Sequence, residues 1–149
     1  MKIIFATDNK PWSVFIRWFT WSRYSHVALV NRKNVIEATL LHGVKITSLD
    51  EFLTKYKKNI LICDVPKANV KKVWAFAVQQ LNKSYDLKAI FGLVLRRKWT
   101  DDKKWFCSEL VTVALYNGGA TIIRKDAYRV TPEDLLNSPL VKPLEEKKE

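Results

Sequence analysis

Apolar and polar positions along this chain switch between two periods. Met1 to Ala6 is an apolar run of strand length, and strand-like runs return at His26–Val30, Val35–Ala38 and Asn59–Val65. The polar link Asn31-Arg32-Lys33-Asn34 is hairpin-sized and joins the second and third runs. Thr39–Ile46 adds a further strand around a turn at Gly43. Helical spacing first appears over Pro11–Trp21. Trp12, Phe15, Ile16 and Phe19 recur at i, i+3, i+4 and i+7, while Val14, Trp18 and Trp21 line another face. A helix apolar on nearly every side is expected to be buried; the alternative is contact with lipid or with a substrate groove.

Ser48 and Glu51 have capping-box spacing, which opens a helix over Leu49–Lys57. Pro66 stops the strand before it, and a helix over Asn69–Leu81 carries one stripe of Val70, Val73, Trp74, Ala77 and Leu81. Ser84-Tyr85-Asp86 breaks the pattern. A helix is expected over Leu87–Leu95, a charged loop over Arg96–Lys104, and a helix over Phe106–Tyr116 ended by Gly118-Gly119. Thr131-Pro132-Glu133 opens a short last helix. Residues 142–149, which end in the charged run Glu145–Glu149, are expected to fray. The order of elements predicts one α+β domain over residues 1–149, a mostly antiparallel sheet packed against helices.

Composition narrows the chemistry. The two cysteines, Cys63 and Cys107, are too few for a disulfide framework, and no C-x-x-C pair offers a zinc or redox site. Neither a metal nor a cofactor is expected. Cys63 lies in the apolar strand Ile60-Leu61-Ile62-Cys63-Asp64-Val65 and reads as a core residue. Twenty-six Lys and Arg against fifteen Asp and Glu give a net charge of +11, which favours an anionic polymer or an acidic lipid surface. The basic residues are dispersed and no nucleic-acid motif accompanies them, so nucleic acid is a weak expectation. The opening apolar run is too short for a secretory signal, and no run is long enough to span a bilayer. A soluble cytoplasmic chain is expected, with a phage-borne origin left open.

Cys107 opens the helix in Trp105-Phe106-Cys107-Ser108-Glu109-Leu110-Val111. A helix start favours a thiolate, because unpaired N–H groups and the macrodipole stabilise negative charge there. A cysteine nucleophile needs a base, and the base needs an orienting acceptor. His26, at the head of its strand beside the small Ser25, is the better base. His42, in the turn before Gly43, is the alternative. Glu37, an acid amid apolar neighbours on the paired strand, is placed to orient the imidazole if the register is right.

These motifs resemble a known superfamily. Ser25-His26-Val27-Ala28-Leu29-Val30 followed by Val35-Ile36-Glu37-Ala38 is similar to the histidine hairpin of NlpC/P60 enzymes. Phe106-Cys107-Ser108-Glu109-Leu110-Val111 resembles their nucleophile helix, and Tyr85 resembles the tyrosine that precedes it. His26 comes before Cys107, whereas most members have the cysteine first. That order resembles the circularly permuted papain-like branch, with its YiiX-like and lecithin:retinol acyltransferase-like members. The resemblance implies a papain-like fold with Cys107 as nucleophile, His26 as general base and Glu37 as orienting residue. Tyr85 and Ser25 would support substrate or oxyanion, and Asp86 would support the site or cap a helix. Glu109 departs from the glycine common in the hydrolases, which weakens any transfer of peptide specificity.

The expected activity is that of a cysteine peptidase or amidase. It would cleave a cell-wall-type or γ-glutamyl amide through an acyl-enzyme. Two alternatives stand beside it: a lipid-directed thiol acyltransferase or esterase, and a non-catalytic basic binding module.

Overall fold

A computed structural model describes residues 1–56, 59–85 and 104–147. Asp86, the expected helix Leu87–Leu95 and the loop that follows, up to residue 103, lie outside that range. The described elements are strands β1 (Lys2–Ala6), β2 (His26–Asn31), β3 (Asn34–Thr39), β4 (Gly43–Ser48), β5 (Ile60–Asp64), β6 (Ser84–Tyr85), β7 (Lys104–Trp105) and β8 (Lys142–Lys147). The helices are α1 (Pro11–Thr20), α2 (Leu49–Lys55), α3 (Val70–Gln79), α4 (Cys107–Asn117) and α5 (Pro132–Leu136).

Six strands form one sheet in the order β4-β3-β2-β1-β5-β8, and every pairing in it is antiparallel. β1 is central and covered on both faces, which is why it reads as an unbroken apolar run rather than an alternation. Ile3 and Phe5 join the larger core with α3 and α4, whereas Ile4 and Ala6 join a smaller one with Phe52 and Tyr56. The same parity holds in the hairpin. Val27, Leu29 and Ile36 face the larger core; Ala28, Val30 and Val35 face the α2 side.

Local signals account for the helix ends. Ser48 Oγ accepts the Glu51 N–H at 3.1 Å, Asn69 Oδ1 accepts the Lys72 N–H at 3.1 Å, and Thr131 Oγ1 accepts the Asp134 N–H at 3.1 Å. Each such cap contributes about 1 kcal/mol. Cys63 is buried and unbridged, as its strand pattern predicts, and burial pushes its thiol up to about 11.

Two expectations are corrected. Most of the segment expected to fray is strand β8, which pairs with β5 from Asp64↔Lys142 to Ile60↔Lys147 across a bulge. It is pinned by Arg23 to Glu146 at 2.6 Å and by the Tyr24 hydroxyl to the same carboxylate at 3.3 Å. Helix α1 is not buried all round. Ile16 enters the core, but Val14, Trp18 and Trp21 are exposed.

Gly43 starts β4 with φ of +62°, and a Cβ there would lie 2.1 Å from the Lys83 carbonyl oxygen. The Val44 N–H donates to that same carbonyl at 2.8 Å, so the close approach holds the segment before Tyr85 against the sheet. Gly43→Ala is expected to cost about 3 kcal/mol, from a strained left-handed residue plus a backbone clash. Urea unfolding of the two proteins measures it.

Candidate active site

The β2–β3 hairpin sets the first contact. Its register pairs Leu29 with Ile36 and Val30 with Val35. Continued by one pair, it puts Glu37 opposite Ala28, so His26 and Glu37 are diagonal neighbours on one face. Their side chains meet there: His26 Nε2 lies 2.9 Å from Glu37 Oε2. Helix α2 covers this face. Tyr56 and Phe52 stack along the imidazole with ring centroids 5.4 and 6.1 Å away and interplanar angles of 18° and 25°.

Glu37 has no exposed side-chain surface, so its charge must be balanced by the protein. Besides His26, it receives the Lys55 ammonium at 3.3 Å on Oε1 and 3.5 Å on Oε2. Lys45 lies 3.7 Å from Oε1, and the Tyr56 hydroxyl donates to Oε2 at 3.4 Å. Burial alone would raise this carboxyl. The hydrogen bond and charge of His26, helped by Lys55 and Lys45, instead hold it at about 2. Burial, then the Glu37 charge, push the Tyr56 phenol far above its ordinary value, so it remains a donor.

Cys107 is the first residue of α4 and lies near enough to His26 for the two side chains to interact electrostatically. With Nε2 engaged by Glu37, Nδ1 is the ring nitrogen that Glu37 leaves open. Helix α4 is fixed from behind: Ser108 Oγ donates to the Val130 carbonyl, and the Glu109 carboxylate accepts the Phe106 N–H at 3.4 Å. The Cys107 N–H lies in the first turn, where no intrahelical carbonyl is available to it. For His26, burial favours the neutral ring. The interactions with Cys107 and with the Glu37 carboxylate outweigh it and raise the pKa to about 9. At neutral pH the imidazole is therefore an imidazolium paired with the buried Glu37 carboxylate.

A cleft of about 450 Å³ opens at His26, lined also by Ser13 and Ile16 of α1, Leu40 and Leu41 of the β3–β4 turn, and Lys45. Cys107 itself is buried, at 1% exposure. A larger hollow of about 660 Å³, lined by Tyr116, Arg124 and Arg129 among others, lies elsewhere and contains none of these groups.

The residues singled out in the sequence fall into four groups. His26 and Glu37 come together, and Cys107 lies within electrostatic reach of His26. Ser25 lines the cleft, but its hydroxyl is bound within a cluster with Ser13 and with Thr7, the latter at 3.2 Å, tying β1, α1 and β2 together next to His26. The backbone of Tyr85 pairs with Trp105, two residues ahead of Cys107, while Asp86 is outside the described residues. His42 is exposed in its turn and lines the same cleft, away from the Glu37 network. Lys45, Lys55 and Tyr56 were not singled out. The one available sign was the Phe52–Tyr56 spacing on α2, which marks a helix face but not what that face covers.

The chain matches, over residues 2–144, the family described as permuted papain-like amidase enzymes, YaeF/YiiX, C92 family. It belongs to that family. That is the permuted papain-like family the motifs implied. The "probable lipoprotein peptidase YaeF" of Escherichia coli K12 is 26% identical over 170 residues, a match covering 91% of this chain. The chain spans 61% of that relative's length. The crystal structure titled metalloprotein YiiX, from Escherichia coli O157:H7, superposes with a TM-score of 0.75 at 19% identity. The match covers 99% of this chain and 97% of that one, and at this identity it speaks for the fold. Among the described residues, no group of three His, Cys, Asp or Glu side chains is placed to hold a metal ion.

The pair of shifts fixes how stability depends on pH. His26 rises from 6.5 to about 9 on folding, so its contribution is complete below pH 6.5 and is lost as pH rises through about 9. Glu37 falls from 4.5 to about 2, so its contribution is complete above pH 4.5 and is lost as pH falls through about 2. Glu37→Gln is expected to bring the His26 titration, followed by NMR, down from about 9. Its stability deficit should be greatest between pH 4.5 and 6.5 and shrink above pH 9.

Proposed function

We propose that this chain hydrolyses an amide or peptide bond through an acyl-enzyme, with Cys107 as nucleophile, His26 as acid and base, and Glu37 as the residue that orients the imidazole. The observation that carries the reading is the His26 ring bonded to the buried Glu37 carboxylate, with Cys107 at the start of α4 within electrostatic reach of the same ring.

The proposed reaction starts from the thiolate–imidazolium pair. The Cys107 sulfur attacks the carbonyl carbon of the amide, and the carbonyl π electrons move onto oxygen. The Cys107 N–H donates to that oxyanion. As the tetrahedral species collapses, the C–N bond breaks and the His26 imidazolium gives its proton to the departing amine, leaving a thioester and a neutral ring. Water then attacks the thioester while His26 takes one of its protons. Cleavage of the C–S bond releases the acid and restores the ion pair. Glu37 stays ionised throughout: it fixes the ring plane and stabilises the imidazolium, and the stacked Tyr56 ring limits rotation. Because the sulfur is buried, the substrate carbonyl approaches it along the His26 wall of the cleft.

The amide suggested for this site is of the cell-wall or γ-glutamyl type, supported by the amidase family and by the +11 charge, which suits an anionic wall polymer. Transfer of the acyl group to an acceptor other than water would use the same thioester. The apolar rim at Leu40 and Leu41 favours that second reading for substrates with apolar acyl chains.

Cys107→Ala is expected to reduce turnover of a γ-glutamyl or peptidoglycan-type amide by at least about a thousandfold. Circular dichroism and the thermal midpoint should stay near those of the parent protein. Turnover that survives the substitution contradicts the assignment.

A further inference from the structure

Helix α1 has two sides with different tasks. Ser13 and Ile16 face inward and line the cleft at His26. Val14, Trp18 and Trp21, spaced i, i+4, i+7, form an outward stripe with exposures of 46%, 73% and 90%. Leu41, on the rim of the same cleft, is 84% exposed.

Neither packing nor backbone preference accounts for Trp21. It is the C-cap of α1 with φ of 51° and ψ of 29°, a left-handed conformation for which glycine is the low-strain choice. The fold bears that strain and buries almost none of the indole in return. Trp18, one turn earlier, also leaves most of its ring in water. Exposed apolar stripes of this kind mark contact surfaces. Tryptophan in particular suits the level of lipid headgroups, where one side of the ring is apolar and its N–H stays hydrated.

Charge indicates which surface. Helix α1 contains Arg17 and no acidic residue. Its flanking cations Lys10 and Arg23 pair with Asp8 at 4.0 Å and Glu146 at 2.6 Å, and Glu133 accepts the Arg23 N–H at 3.3 Å, so the attraction rests on the charge of the whole chain. The chain as a whole carries +11, a long-range attraction for an anionic interface. We propose that α1 docks on an anionic bilayer, lying in its interface with Trp18 and Trp21 at headgroup depth. This docking does not depend on the hydrolase reading.

Co-sedimentation with vesicles of phosphatidylcholine alone and of phosphatidylcholine with 30% phosphatidylglycerol tests it. The intact chain should bind the anionic vesicles at about 50 mM salt, and binding should fall at least tenfold at 0.5 M salt or without phosphatidylglycerol. Trp18→Ser with Trp21→Ser should lower the partition coefficient at least tenfold while the circular dichroism spectrum is kept, as both rings are exposed. Trp21→Gly separates the role from folding: it should weaken vesicle binding yet raise the thermal midpoint by about 2 °C, through relief of the positive φ. No binding to anionic vesicles at low salt would overturn the proposal. So would equal binding by the double variant, which would make the attraction one of net charge alone. A dimer in light scattering that the double variant dissociates would assign the stripe to a second copy of the chain and would also overturn it.

Discussion

A carboxylate sealed from water is the constraint around which this structure is arranged. Glu37 lies in the middle of a strand, with apolar neighbours on either side, and has no exposed side-chain surface. An isolated charge in that position would not be tolerated. Four groups compensate it: the His26 ring, the Lys55 and Lys45 ammoniums and the Tyr56 hydroxyl. These come from β2, α2, β4 and the residue that ends α2, so neutralising one charge fixes how three neighbouring elements sit on β3. The cost of removing a single partner from such a group, about 3 kcal/mol or more, measures how firmly they are tied.

The same arrangement prepares the chemistry. A histidine beside a thiol can act as base or as proton donor only if its ring orientation and charge are set beforehand. Here the ring is held by Glu37 on one edge, with Tyr56 and Phe52 stacked along it, and its positive charge is stabilised by the carboxylate. In the proposed reaction, helix α4 supplies the sulfur at a point where its backbone N–H is also available for a developing oxyanion. Family membership and local geometry agree in direction, though they come from different sources: one from matched residues 2–144, the other from contacts between side chains.

Much of this was legible in the sequence because it is written in short-range patterns. The four-residue link Asn31–Asn34 and the two strand runs beside it predicted the hairpin, and the hairpin register carries Glu37 to His26. Cap residues Ser48 and Thr131 announced their helices. What could not be read depends on tertiary placement. The last strand, Lys142–Lys147, looks like a solvated tail because Lys, Pro and Glu are the residues that protect a sheet edge from further pairing. Pro143 is accommodated there opposite Cys63, next to the register shift. Helix α1 is apolar on nearly every side, and no periodicity can say which side a neighbour will cover. Lys45, Lys55 and Tyr56 read as an ordinary strand cation and a helix end until β3 is placed between them.

The most direct test of the account is to find where an acyl group lands. The protein would be mixed with a p-nitrophenyl ester, quenched in acid within the first turnover, and examined by intact mass and peptide mapping. The account predicts one acyl group, carried by Cys107, with Cys63 unmodified and with the adduct greatly reduced in Glu37→Gln. Acylation confined to Cys63 or to surface lysines, or an adduct on Cys107 whose yield ignores Glu37, would contradict it.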